Sequence, residues 1–312
     1  MTLSVKGQAM APQPNRLRRC TLAVPGSAQK MLDKAADLSV DQLFFDLEDA
    51  VAPNAKDSAR AQVIEALNQQ RFLAPTLSVR INDVTTPWCY QDIIDLVTQA
   101  SDNLDTLILT KVKSVSDVHF VHLLLDQLEQ KLGLQKRIGI ECLIEEVQGL
   151  QNADAIAGCS DRIETLIFGV GDYAASQQMP LESVGSTDGY PGDLWHYPRF
   201  KITMACRANG IEPMDGPYGN FRDPASLTEE ARRARLIGMG GKWAIHPEQI
   251  DVIQPIFTPS PERIAQARKQ LAAYEAAQQQ GLGAINVDGI MVDAASIRIT
   301  QSLLERADAL GL

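Results

Sequence analysis

Acidic side chains recur in this sequence where short apolar runs end. Asp46, Glu48 and Asp49 close one run, and Arg80 and Asn82 stand in the next. Lys111 follows a third, and Glu141, Glu145 and Glu146 lie in or after a fourth. Gly169-Val170-Gly171-Asp172, Asp215-Gly216-Pro217 and His246-Pro247 end three more. If the runs are neighbouring strands, these carboxylates converge on two obvious cations, Arg80 and Lys111. Carboxylates crowded into one place repel each other unless a cation neutralises them. The four histidines (His119, His122, His196 and His246) form neither an HxxxH nor an HExxH pattern. Ligation by two or so carboxylates plus waters therefore points to Mg²⁺, with Mn²⁺ as a substitute, and disfavours zinc.

The elements that must position these groups alternate along the chain. Strand candidates are Thr21–Val24, Leu43–Leu47, Leu77–Ile81, Thr106–Leu109, Ile138–Cys142, Thr165–Phe168, Ile211–Met214 and Trp243–Ile245. Each is nearly continuous in apolar character, as expected of parallel strands buried on both faces. Between them lie helical patterns at Ala28–Leu38, Lys56–Gln69, Tyr90–Ala100, Ser116–Leu132, Ile144–Ala157, Tyr197–Asn209 and Leu227–Ile237. Asp57, Ser116, Asp117 and Ser226 are the N-cap candidates. Eight such units predict an α/β fold, a (β/α)₈ TIM barrel over residues 16–255, with its active site at the C-terminal strand ends. A C-terminal helical extension or lid, residues 256–312, begins at the Pro-rich stretch Phe257–Pro261. It comprises a helix over Glu262–Gln280, a Gly-punctuated segment, Gly281–Asp293, and a last helix from about Ala294 to Ala309. The long irregular stretch Gln177–Trp195 falls after the sixth strand, as a loop at the barrel top.

Composition bounds the partners. The 312 residues carry 39 acidic and 29 basic side chains, a formal net charge of −10, which counts against nucleic acid. No apolar run approaches the ~20 residues of a spanning helix. The opening Met1–Arg19 lacks the apolar core of a signal peptide. Five scattered cysteines, with no CxxC pair, argue for reduced thiols. The expectation is a soluble cytoplasmic protein.

Several strand ends resemble one family, in order and at its spacing. They are Val24-Pro25-Gly26-Ser27, Asp46-Leu47-Glu48-Asp49-Ala50-Val51-Ala52-Pro53, Val79-Arg80-Ile81-Asn82, Leu143-Ile144-Glu145 and Phe168-Gly169-Val170-Gly171-Asp172. Gly241-Lys242-Trp243-Ala244-Ile245-His246-Pro247, Phe257-Thr258-Pro259-Ser260 and Asp288-Gly289-Ile290-Met291-Val292-Asp293 continue the series. The sequence resembles the citrate lyase β-subunit-like (HpcH/HpaI aldolase) family over about residues 19–300. Asp193–Tyr197 and Asp215–Phe221 are most similar to its malyl-CoA/β-methylmalyl-CoA lyases.

The resemblance implies a barrel, Mg²⁺ dependence, a homotrimer or homohexamer, and reversible carbon–carbon cleavage of a 3-hydroxyacyl-CoA thioester. On matching positions, it implies Glu145 and Asp172 as metal ligands, Arg80 facing the thioester carbonyl and enolate, and Glu48 and Asp49 holding metal-bound water. It implies that Asp293 enters an adjacent subunit's site as the acid/base residue. Where the family often has Arg after Pro-Gly-Ser, this chain has Ala28-Gln29-Lys30, which passes any phosphate contact to Lys30 or Arg19, with Lys111 a further substrate contact. Read without the resemblance, Glu145 and Asp172 are equally acids near helix N-termini, Arg80 half of an ion pair, and Asp293 a cap of the last helix.

The expected reaction splits (S)-malyl-CoA into acetyl-CoA and glyoxylate, and β-methylmalyl-CoA into propionyl-CoA and glyoxylate. Rivals on the same fold are a citramalyl-CoA lyase, which gives pyruvate, and a malyl-CoA thioesterase. A rival of another class is an acyl-carrier-dependent citrate lyase β-type subunit.

Overall fold

Burial on both faces explains why eight short apolar runs close on themselves. The computed structural model describes residues 16–181 and 189–312. The strands are β1 (Cys20–Pro25), β2 (Gln42–Asp46), β3 (Thr76–Arg80), β4 (Thr106–Leu109), β5 (Gly139–Ile144), β6 (Ile163–Phe168), β7 (Glu212–Asp215) and β8 (Gly241–Ala244). All pair in parallel, in sequence order, and β8 returns to β1 to close the barrel. The expected (β/α)₈ architecture is therefore present. Residues 1–15 and 182–188 lie outside the described residues, so most of Met1–Arg19 and the centre of the Gln177–Trp195 loop do too.

Helices α1 (Gln29–Ala35), α2 (Lys56–Gln69), α3 (Cys89–Ala100), α4 (Val115–Leu132), α5 (Val147–Gln151), α6 (Ala153–Ala157), α7 (Val170–Ser176), α8 (His196–Ala208), α9 (Pro224–Leu236) and α10 (Ile250–Phe257) follow the strands. The single helix expected over Ile144–Ala157 is two short ones, separated at Asn152, whose side chain donates to Lys113 O at 2.8 Å. The caps also differ from expectation. Ser114 caps α4 with Asp117 as its box partner, Asp223 caps α9 by accepting from Ser226 N–H, and Asp57 lies inside α2. At α4 and α9 the capping oxygen stands just ahead of the apolar period, where free N–H groups need acceptors.

The barrel interior is layered. At the N-terminal end Thr21, Gln42, Ser78, Thr106, Glu141 and Thr165 form a buried polar network. Arg18 closes it, reaching Glu141 at 3.2 Å and pairing with Glu164. Glu164 is the residue by which β6 slips against β5: Ile140 pairs with Ile163, but Glu141 with Thr165. Above this lies an apolar layer of Ala23, Phe44, Ile108, Leu143, Ile167, Met214 and Trp243, drawn from seven of the eight strands. Charged side chains form the third layer, at the C-terminal mouth.

The tail forms α11 (Pro261–Gln279), an antiparallel hairpin of β9 (Ala284–Val287) and β10 (Ile290–Asp293), and α12 (Ala294–Ala309). The hairpin stands where the sequence pattern indicates only a Gly-punctuated segment. Asp288 and Gly289, at φ 53° and 83°, join its strands in the left-handed conformation that a tight hairpin turn requires. Small apolar clusters hold the tail together, one around Ile264 and Leu304, the other around Tyr274 and Val292. Arg306 fastens it to the barrel's N-terminal end by donating to Phe257 O, Gly240 O and Glu212.

Candidate active site

The mouth is assembled from the ends of β2 to β6. Asp46 and Arg80 are register partners on β2 and β3, so their side chains lie next to each other. Arg80 Nε and Nη2 donate to the two Asp46 oxygens at 2.7 and 2.6 Å, a bidentate clamp. The guanidinium lies 5.8 Å from the ring centre of Phe44, which belongs to the apolar layer. Its remaining edge, Nη1, is 3.4 Å from Glu48 Oε2 and 4.0 Å from Asp49 Oδ2. Burial opposes charge on Arg80, but the Asp46 carboxylate more than offsets it and keeps the guanidinium charged. For Asp46 burial again opposes charge, and Arg80 with two backbone N–H groups holds it below the usual carboxylate range.

Those N–H groups belong to Glu48 and Ala50, so Asp46 also shapes the turn that delivers Glu48 and Asp49. Lys56 braces the turn from behind by donating to Leu47 O and Glu48 O at 2.8 and 2.7 Å. The Glu48 carboxylate is buried and ion-paired with Lys111. Burial raises its pKa, against the pull of Arg80 and Lys111. Asp49 is exposed, with 57% of its side chain accessible, at the rim.

Glu145 follows β5 and is 2% exposed. Its Oε1 accepts the Lys111 backbone N–H at 2.8 Å. Gly169 makes room beside it: a Cβ there would lie 2.4 Å from Glu145 Cβ and 2.7 Å from Oε2. Asp172 stands in the first turn of α7, and its Oδ1 is 3.7 Å from Lys111 Nζ. Burial, and then the Asp172 charge, push Glu145 well above the ordinary carboxylate range. A buried carboxylate facing a second carboxylate is the electrostatic signature of a site that fits a cation. Among the described residues no group of three or more His, Cys, Asp or Glu could form a metal cage. Glu145 and Asp172 are two carboxylates that could act as donors, and a shell completed by water and substrate oxygens would suit Mg²⁺.

The structure brings Arg80, Glu48, Asp49, Lys111, Glu145 and Asp172 together. Lys30, exposed on α1 just beyond β1, lies on the rim side of the barrel. Three residues expected at the mouth lie elsewhere. Arg19 precedes β1 and so lies at the opposite end, clamped by Asp41 at 2.6–2.8 Å and bonded to Thr258 at 2.9 Å. Glu141 faces inward but lies four residues, ~13 Å, below Glu145 in the closed polar layer. Asp215 points out of the barrel, where Arg199 of α8 and Lys242 bond to it at 2.8 and 2.6 Å. Asn82 donates to Asp92 of α3 at 2.7 Å. Glu146 accepts from Ser176 at 2.7 Å, away from Glu145. His246 stacks on Phe221 and caps the turn that follows it.

Asp293 caps α12, accepting from Ala295 and Ser296 N–H at 3.1 and 2.9 Å. These bonds lower its pKa. α12 is ~24 Å long, and Arg306 near its far end is bonded to the N-terminal side of the barrel. Sequence reasoning placed Asp46 and Gly169 at strand ends but gave neither a role. Asp46 had a signal, because a bidentate partner for a mid-strand arginine is to be expected one strand away.

A family model described as HpcH/HpaI aldolase/citrate lyase matches residues 19–247. The chain belongs to this family. An L-malyl-CoA/beta-methylmalyl-CoA lyase of Cereibacter sphaeroides is 39% identical over 95% of this chain and 96% of its own length. A malyl-CoA/beta-methylmalyl-CoA/citramalyl-CoA lyase of Chloroflexus aurantiacus is 30% identical over 94% of this chain and 89% of its own. Among solved structures, the Mycobacterium tuberculosis protein CitE in complex with magnesium, acetoacetate and coenzyme A superposes with a TM-score of 0.74. It is 29% identical over 93% of this chain and 97% of that one. Within the family barrel, β2 to β6 carry the whole charged cluster described above.

Proposed function

We propose that the protein is a Mg²⁺-dependent carbon–carbon lyase of 3-hydroxyacyl-CoA thioesters. It cleaves (S)-malyl-CoA to acetyl-CoA and glyoxylate, and β-methylmalyl-CoA to propionyl-CoA and glyoxylate, reversibly. The observation that carries this reading is the pairing, in one mouth, of a clamped Arg80 with the buried Glu145 and the nearby Asp172. The Cereibacter and Chloroflexus relatives, both named as malyl-CoA lyases, support it over most of the chain.

Cleavage passes the carbinol O–H proton to water at the mouth and breaks the bond between the thioester α-carbon and the carbinol carbon, leaving an enolate, later protonated at carbon, on one side and an α-oxo acid on the other. Bound by Glu145 and Asp172, Mg²⁺ would supply Lewis acidity to the hydroxyl and carboxylate of the acid half. Arg80 places a permanent charge against the thioester oxygen as it becomes an enolate. Because Asp46 fixes two of its nitrogens, this donor needs little reorganisation. Glu48 and Asp49 orient water at the rim side of the same cluster. Phe44 and the apolar layer beneath exclude solvent from below.

Asp293 acts from the tail of a second copy, exchanging the α-proton with the enolate carbon, within a homotrimer or homohexamer. Its placement as a cap far from Arg306 is compatible with reaching outward from its own barrel. Lys30, exposed at the rim side, would contact a phosphate of the thioester.

The test is an assay of purified protein on malyl-CoA and citramalyl-CoA, with and without EDTA, following glyoxylate, pyruvate and free thiol separately. Glyoxylate formation lost on metal removal is the expected result. Pyruvate from citramalyl-CoA alone would move the substrate, and free CoA with malate would make the enzyme a thioesterase. Full activity after complete metal removal would overturn the mechanism.

A further inference from the structure

Lys111 has a φ of 50°, a left-handed backbone that a residue with a Cβ enters only against steric cost. Among the described non-glycine residues, Gln178 and Asp288 share this conformation. They sit just past the end of α7 and in the hairpin turn, where it is ordinary. Lys111 instead stands at the mouth, directly after β4. The conformation aims its backbone N–H at Glu145 Oε1, 2.8 Å away. Its ammonium pairs with Glu48 and lies 3.7 Å from both Asp49 Oδ1 and Asp172 Oδ1. One residue therefore holds the first proposed ligand through its backbone and faces the second with a full positive charge.

We propose that Lys111 is an internal competitor for the divalent cation, a positioning residue whose ammonium must yield Asp172 before the ion can bind there. The inference rests on the reading of Glu145 and Asp172 as ligands. An ammonium and a divalent ion at the same carboxylate repel each other, so each weakens the other's hold. The flexible four-carbon stem lets the ammonium, already paired with Glu48, swing away from Asp172 toward Asp49 without any backbone movement. Lys111 thus lowers the affinity of the site and keeps the ion exchangeable, while its backbone keeps Glu145 in place.

The test is Mn²⁺ binding to the full-length protein, counted by electron paramagnetic resonance in the absence of substrate. Lys111→Met keeps a Cβ in the same backbone conformation and removes the ammonium, with its charge and its bond to Glu48. It is expected to bind Mn²⁺ about tenfold more tightly than wild type, and Lys111→Gln to follow it, whereas Lys111→Arg stays near wild type. Lys111→Gln also serves as the second variant should the methionine protein fail to fold. Wild-type or weaker affinity in the charge-removing variants overturns the proposal while leaving the cation site standing. A wild-type protein with no Mn²⁺ site that Asp172→Ala abolishes removes both the cation site and the competitor.

Discussion

The two ends of the barrel carry charged clusters built from the same residue types with opposite consequences. At the N-terminal end Arg18 sits between Glu141 and Glu164, and Gln42, Thr106 and Thr165 bond to Glu141 as well. The Arg18 and Glu141 side chains are 3% and 1% exposed. At the mouth five carboxylates, Asp46, Glu48, Asp49, Glu145 and Asp172, share Arg80 and Lys111. With Arg16 also 3.3 Å from Glu164, the first cluster sets two guanidiniums against two carboxylates, is satisfied within itself and closes the barrel. The second has an excess of negative charge, a left-handed lysine and partly exposed oxygens, so it is completed only by something that binds. A buried ion network is thus a stopper or a site according to whether its own partners balance it.

Breaking the stopper should change stability alone. Arg18→Met leaves Glu141 buried without its cation and Glu164 with Arg16 alone, and an unfolding free energy lower by ~3–5 kcal/mol is expected in urea titrations. Turnover per folded molecule should stay at the wild-type value; a fall in kcat would contradict the separation of the two ends. Asp172→Ala acts the other way, costing about 4 kcal/mol of barrier, near a thousandfold in turnover, in a protein that unfolds normally. Retained, EDTA-sensitive activity in this variant would remove Asp172 from the site. Arg80→Ala is expected to lose ~2.7–4 kcal/mol of transition-state stabilisation, read as a fall in kcat larger than any rise in KM.

A smaller effect is expected from Gly169→Ala. The added Cβ would sit 2.4 Å from Glu145 Cβ, so the carboxylate must move. Mn²⁺ affinity should fall ~10–100-fold with the barrel intact by circular dichroism. The smallest change sharpens the contrast through pH. The folded-state pKa of Asp46 is lowered, so its contribution to stability is full above the unfolded value, ~3.9, and is lost as pH falls below it. The stability advantage of wild type over Asp46→Asn, from urea titrations at pH 7 and pH 3, should shrink at the lower pH. An advantage that grows on acidification would show that Arg80 does not depend on Asp46.

Much of this was legible because its causes are local. Thr106–Leu109 and Lys56–Gln69 have the boundaries their patterns indicate, since period and flanking residues mark both ends. Glu145, Asp172 and Arg80 were legible as motifs at strand ends. The β9–β10 hairpin was not recognised, although Asp288-Gly289 is a strong hairpin signal, because Gly281 and Gly283 ahead of it made the segment look irregular. Asn152 ends α5 by pulling on Lys113 across the fold, a contact that no local window contains.

Face and level are what a linear pattern conveys least. In strands buried on both sides, inward and outward residues are alike apolar, so periodicity does not assign Glu141, Glu145 and Asp215 to their places. The sequence by itself determined that eight parallel strands would close with their C-terminal ends crowded by acids, because residue type and spacing suffice for that. Tertiary structure decided which acids face one another. Closure set Glu141 against Arg18 and turned Asp215 outward to Lys242. It brought the β2 and β6 ends to a strained Lys111 between them, since only the ring of strands fixes how distant segments share space.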